Sequence, residues 1–287
     1  MNKFLACCIF FLPLSINAQM KETYSIFTGE GKSISYQKMI QSLEKADVVF
    51  FGELHNNTLA HWLELQVLKD LYASKRTVTL GMEMFESDDQ IIINEYLHRM
   101  IEEKQLLAEA KIWDNYKTDY KPLVEFARKN QIQLIATNIP RRYANMVYRK
   151  GLPSLDSIHI DSKKWIAPLP LEVDYSLSSY KAMMEGMGQH GDGSARNLVT
   201  SQALKDATMA HFISINLMNE GIFYHVNGAY HSQDHQGIIT YLSKLNPKLK
   251  VVTLHVTEQS SLDQLEDRNL RKGDFVFCIV DDMIKSY

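Results

Sequence analysis

The sequence predicts an α/β protein, a mostly parallel β-sheet flanked by helices, with a small inserted helical subdomain. Three observations point there. Six short apolar, β-branched or aromatic runs are spread along the 287 residues, several unbroken rather than alternating, as strands buried on both faces read. Helical patterns lie between them, and strand–helix–strand alternation implies crossovers and parallel pairing. The composition, 45% hydrophobic and 23% charged, suits one sizeable core.

The elements follow in order. Met1-Asn2-Lys3 gives a short positive start and Phe4 to Leu14 an apolar run, shorter than the ~20 residues that span a bilayer. Ser15-Ile16-Asn17-Ala18 then offers small residues before Gln19, which reads as a secretory signal over 1–18 cleaved after Ala18. The domain proper is then 19–287, secreted across the inner membrane into the periplasm. Cys7 and Cys8 lie within the apolar run rather than after it, so no lipid anchor is expected.

The six strands are expected at Asp47–Glu53, Thr77–Phe85, Ile132–Asn138, Gly221–Gly228, Lys250–Thr257 and Phe275–Val280. Thr58 is the expected N-cap of a helix Leu59–Ser74, whose apolar stripe is Trp62, Leu65, Val67, Leu68 and Leu71. Further helices are expected at Lys121–Lys129, with Pro122 in its first turn, and at Gln236–Lys244, stopped by Asn246-Pro247. Two stretches exceed a minimal alternation: about 88–111, rich in Glu, Lys and Leu, and about 141–219. They are expected to assemble into one helical subdomain over an edge of the sheet. Cys278, inside Phe275–Val280, reads as a core residue, and three cysteines exclude a disulfide-stapled class.

Charge excludes a further class. With 31 Lys+Arg against 34 Asp+Glu, the net charge of −3 provides no basic surplus for nucleic acid.

The polar residues recur at strand ends. The first strand ends in Gly52-Glu53-Leu54-His55, the second in Gly81-Met82-Glu83-Met84-Phe85, the third in Asn138-Ile139-Pro140-Arg141 and the fourth in Asn227-Gly228-Ala229-Tyr230-His231. In open parallel sheets that edge binds ligands, so Glu53, His55, Glu83, Asn138, Arg141 and His231 are candidate site residues. A carboxylate inside an apolar strand needs a partner, and Arg141 could simply be the structural partner of Glu83. His55 and His231, as two Gly-x-x-His copies, with Glu53 and Glu83, form a candidate ligand set for a divalent metal with an open position.

Other motifs fail. Gly186-Met187-Gly188-Gln189-His190-Gly191 matches the dinucleotide fingerprint, but it follows a helical pattern rather than a strand. It reads instead as a loop between two helices. Gly-x-Ser-x-Gly and His-Glu-x-x-His are absent. Trp113-Asp114-Asn115-Tyr116 and Tyr120-Lys121-Pro122 cluster polar aromatics before a helix. Packing explains them simply, and a phenolate is also one of the protein ligands to haem iron.

Taken together, Gly52-Glu53-x-His55 with His61 and Gln66, Gly81–Phe85, Asn138-x-Pro140-Arg141, Tyr120-x-Pro122-Leu123, Lys205–Ala210 and Gly228-x-x-His231 resemble the ChaN-like haem-binding family, from about Val48 to about Gly237. The resemblance implies a periplasmic or surface protein of bacterial iron acquisition, of parallel-sheet α/β fold with a small helical domain. It implies a homodimer holding two stacked ferric haems, each iron bound through a tyrosine, and a haem receptor or transporter as partner. Carried onto this chain, the tyrosine is Tyr120 or Tyr116, with His61 and Arg141 in the cofactor-binding set. The likeness reaches on to the Tiki/TraB group, and remotely to erythromycin esterase-like enzymes. That implies an alternative, a metal-dependent hydrolase with His55, His231, Glu53 and Glu83 at the metal and Glu53 or Glu83 as general base.

Overall fold

The computed structural model describes residues 21–74, 76–186 and 194–287. The expected signal segment, and all of the 186–191 loop beyond Gly186, lie outside these residues. No helix among the described residues is long and apolar enough to cross a membrane.

In chain order the elements are β1 (Tyr24–Thr28), α1 (Tyr36–Leu43), β2 (Val48–Glu53), α2 (Thr58–Ala73), β3 (Val78–Glu86), α3 (Gln90–Leu97), α4 (Glu103–Glu109), α5 (Lys121–Asn130), β4 (Gln133–Asn138), α6 (Arg141–Lys150), α7 (Ser178–Gly186), α8 (Ser194–Ile215), β5 (Ile222–Gly228), α9 (Ile238–Leu245), β6 (Val251–Gln259) and β7 (Phe275–Val280). The strands form one sheet in the order β1-β7-β6-β2-β5-β3-β4. Every pairing is parallel except β1 with β7. This is the expected α/β class, with one edge strand, β1, that the sequence reading did not foresee.

Strand periodicity divides the core. Val49 and Phe51 of β2 face the cluster built with α1 to α5, whereas Val48 and Phe50 face the one built with α8 and α9. The two inserted stretches divide the same way. Ile93, Tyr96 and Leu106 join the first cluster, while Tyr143, Ala144 and Val147 pack in a separate cluster with Leu204 of α8. They therefore do not form the single shared subdomain expected, because each covers its own face of the sheet.

Two local expectations also change. The N-cap of α2 is Asn57, whose side-chain oxygen accepts from the N–H groups of Leu59 and Ala60 at 3.0 and 2.9 Å. Trp62 is half-exposed, and the buried face of α2 instead runs through His61, Leu63, Glu64, Val67, Leu68 and Leu71. The helix thus buries two ionisable groups where the stripe reading placed only apolar ones.

Connections leave β2 toward β3 and leave β5 toward β6, in opposite directions across the sheet. A crevice outside the carboxyl ends of the strands forms at such a reversal. There Glu53 pairs in register with Gly228, and the β3–β4 register shifts between Met82 and Glu86, so Glu83 sits at an irregularity. Such irregularities re-aim side chains next to sites.

Candidate functional site

A cavity of about 740 Å³ opens at this edge, within the roughly 300–1,000 Å³ of ordinary ligand pockets. Its floor holds Glu53, His55, Glu83, Asn138, Gly228 and His231, so the sequence-derived strand-end residues do converge. Its walls are helical. Arg141, Ala144, Asn145 and Tyr148 of α6 reach it, as do Leu198, Ser201, Gln202 and Lys205 of α8. Both sets follow i, i+3, i+4, i+7 spacing, one face of each helix.

The floor comprises two acid–imidazole groups on either side of Gly228. A Cβ at Gly228 would stand 2.6 Å from His55 Nε2, so any side chain there would push the His55 ring out of its place. In the first group, Glu53 Oε1 receives the Tyr120 hydroxyl at 2.7 Å and lies 2.5 Å from His55 Nδ1. His61 Nδ1 stands 3.2 Å from Glu53 Oε2 and 3.3 Å from Glu64 Oε2. His61 Nε2 donates to the His55 carbonyl at 3.0 Å. Burial alone would raise the Glu53 carboxyl, but the neighbouring Glu64, His55 and His61 hold it well below the carboxylate range. Glu64, buried and beside that charge, is raised well above it. Burial opposes charge on His61 too, yet the adjacent Glu64 and Glu53 carry it up to about 11.

In the second group, His231 Nε2 stands 3.0 Å from Glu83 Oε1 and Nδ1 2.5 Å from Asp206 Oδ1. Glu83 Oε2 accepts from the Gly228 N–H at 2.8 Å, and the Tyr180 hydroxyl donates to Asp206 Oδ2 at 2.6 Å. Burial disfavours the imidazolium, but Glu83 and Asp206 override it and raise His231 to about 10. Glu83, whose burial is likewise overridden, by His231, falls to about 2.

Several expectations change accordingly. Glu83 is paired by His231 rather than by Arg141, whose side chain is 70% exposed and points to Glu86. Both nitrogens of His231 face carboxylates, Nε2 toward Glu83 and Nδ1 toward Asp206. Among the described residues, the group of three whose ligand atoms all lie within 4.8 Å is Glu53, His61 and Glu64, with neither His55 nor His231 in it. Tyr120 is fully buried and donates to Glu53, and Tyr116 is buried beneath Phe85. Neither lines the cavity, nor does His61. Burial raises both phenols, further in Tyr120 because Glu53 and Glu64 add to it. The tyrosines that do reach the cavity are Tyr148, 40% exposed, and Tyr230, whose hydroxyl donates to the Ser179 carbonyl.

Sequence reasoning missed Tyr148, Glu64, Asp206 and Lys205 as site residues. The signal was present: acids at buried positions of α2 and α8, and a cavity-facing stripe starting at Arg141.

Fold and site define a parallel α/β protein with a two-centred acid–imidazole cleft at the carboxyl ends of its strands. The chain belongs to the family described as haem-binding uptake, Tiki superfamily, ChaN, whose model matches residues 39–242. Among solved structures it is similar to ChaN of Campylobacter jejuni, described for its cofacial haem binding. The two are 18% identical, over 92% of this chain and 97% of that one, with a TM-score of 0.65. Among curated proteins it is similar to RETICULATA-RELATED 5, chloroplastic, of Arabidopsis thaliana, 25% identical over 134 residues. That match covers 44% of this chain, which spans less than a fifth of the plant protein's length, 18%.

Proposed function

We propose that this chain binds ferric haem in the strand-end cavity, with the Tyr148 phenolate as the iron ligand, as a secreted carrier of iron acquisition. The observation that carries the reading is Tyr148 itself, an exposed phenol on the cavity-facing stripe of α6. The residues present fit the group. Leu54, Trp113, Ile139 and Leu198 offer apolar surface for a porphyrin, and Arg141 and Lys205 offer cations for its propionates. Haem supplies a Lewis-acidic ferric centre, for which tyrosinate is a known protein ligand. Tyr120 keeps a different task, holding Glu53 in place. The family and the Campylobacter relative, whose haems are described as cofacial, support a stacked pair between two copies of this chain. Secretion rests on the amino-terminal apolar run, and delivery to a receptor or transporter on the family's uptake role.

The test is a haem titration of the protein followed by absorbance. A tyrosinate-type ferric spectrum is expected in the parent and in Tyr120→Phe, and its loss in Tyr148→Phe. An unchanged spectrum in Tyr148→Phe overturns the ligand assignment.

One observation favours a second reading, hydrolysis. His55, partly exposed at the cavity and oriented through Nδ1 by the Glu53 carboxylate at 2.5 Å, makes a carboxylate–imidazole pair of the kind used in general acid–base chemistry.

A further inference from the structure

We propose that Glu53, His61 and Glu64 form a buried binding site for one divalent transition-metal ion, Zn²⁺ by donor chemistry, which ties the end of β2 to the first turns of α2. This site is separate from the haem cavity and from the paired Gly-x-x-His residues.

The geometry carries the argument. His61 Nε2 faces the His55 carbonyl, an acceptor only, so that nitrogen holds the ring proton. The other nitrogen, Nδ1, is turned between two carboxylates, and lone pairs converging there require something positive among them. Either a proton or a metal ion satisfies that need. The two spacings around His61 Nδ1 suit the ion. Donor atoms 3.2 and 3.3 Å apart are longer than the ~2.7–2.9 Å of charge-assisted hydrogen bonds. They match the ~3.3 Å edge of a tetrahedron with metal–ligand bonds of about 2.0–2.1 Å.

A second, independent observation points the same way. Among the described residues, Glu53 Oε2 and Glu64 Oε1 have no partner at proper hydrogen-bond geometry, although the two residues are only 1% and 0% exposed. Native interiors seldom leave a buried carboxylate oxygen unpaired. The surroundings also suit a metal site. The His55 carbonyl orients His61 from behind, and the Tyr120 hydroxyl anchors the remaining oxygen of Glu53 at 2.7 Å. All three ligands are buried, which shuts the site off from bulk solvent. Binding replaces the protons held among His61, Glu53 and Glu64, which pass to solvent.

Because the site is closed, the test loads it during folding. The full chain is unfolded, stripped with chelator and refolded with Zn²⁺, then dialysed and assayed for metal. About one zinc per chain is expected, with affinity weakened at least roughly tenfold in Glu64→Gln and His61→Gln and retained in His231→Gln. Should either variant fail to fold, the parent refolded with Co²⁺ decides: intense tetrahedral d–d bands support the site and a weak octahedral spectrum overturns it. Absence of stoichiometric zinc in the parent, or its loss in His231→Gln but not in His61→Gln, also overturns the proposal.

Discussion

His231 shows how a single side chain couples the cavity floor to pH. Its folded-state pKa of about 10 stands above the roughly 6.5 of an unfolded histidine. The stability it contributes is therefore fully present below about pH 6.5 and is lost as pH rises through 10. Glu83 has the opposite sense: its contribution is present above its ordinary range and lost only as pH falls toward about 2. The thermal midpoint of the parent is thus expected to fall between pH 7 and 10, and to fall less in His231→Gln. Equal slopes in the two proteins would show that the carboxylates do not hold that proton. At this scale the sequence was informative about place and weak about partners. Glu53, Glu83 and His231 were legible because each breaks an apolar strand end. Their partners were not, because Asp206, Glu64 and Tyr120 lie on helices or turns outside the strands, and only folding chooses among such groups.

Among elements, helices α6 and α8 and the cap of α2 decide what the strand ends become. Asn57 caps α2 with its oxygen, while its amide donates to Glu258 of β6 at 2.6 Å, so it joins helix and sheet. Asn57→Ala is expected to cost about 1–2 kcal/mol, read as a lower urea midpoint at unchanged slope. A shift below about 0.3 kcal/mol would mean that solvent replaces the cap without loss. Strands β2 to β7 were legible from their unbroken apolar runs. Strand β1 was not, because Tyr24-Ser-Ile-Phe-Thr28 is short and earns its place by antiparallel pairing with β7. Trp62 misled the helix reading since size alone does not place a residue inside: its position on α2 faces outward, and His61 and Glu64 take the buried positions.

On the scale of the whole molecule, the fold class followed from alternation of strands and helices, but the division of the two insertions between opposite faces did not. Helical spacing reports one apolar stripe per helix and says nothing of which sheet face receives it. The proposed stacked haems make a further claim at this scale. Haem addition is expected to double the molecular mass seen by light scattering, and a haem-saturated monomer would refute the paired arrangement while leaving single-haem binding intact.

Strand β5 lies between β2 and β3 although it follows both by a long stretch of chain. Glu53 and Glu83 are therefore built early, yet nothing joins their strands until the segment from Ile222 to Gly228 slots between them. Such distant pairing is intrinsically slow. A growing polypeptide emerging from the ribosome carries all its acids but no finished pocket, so capture of cargo has to wait until almost the entire molecule has been made.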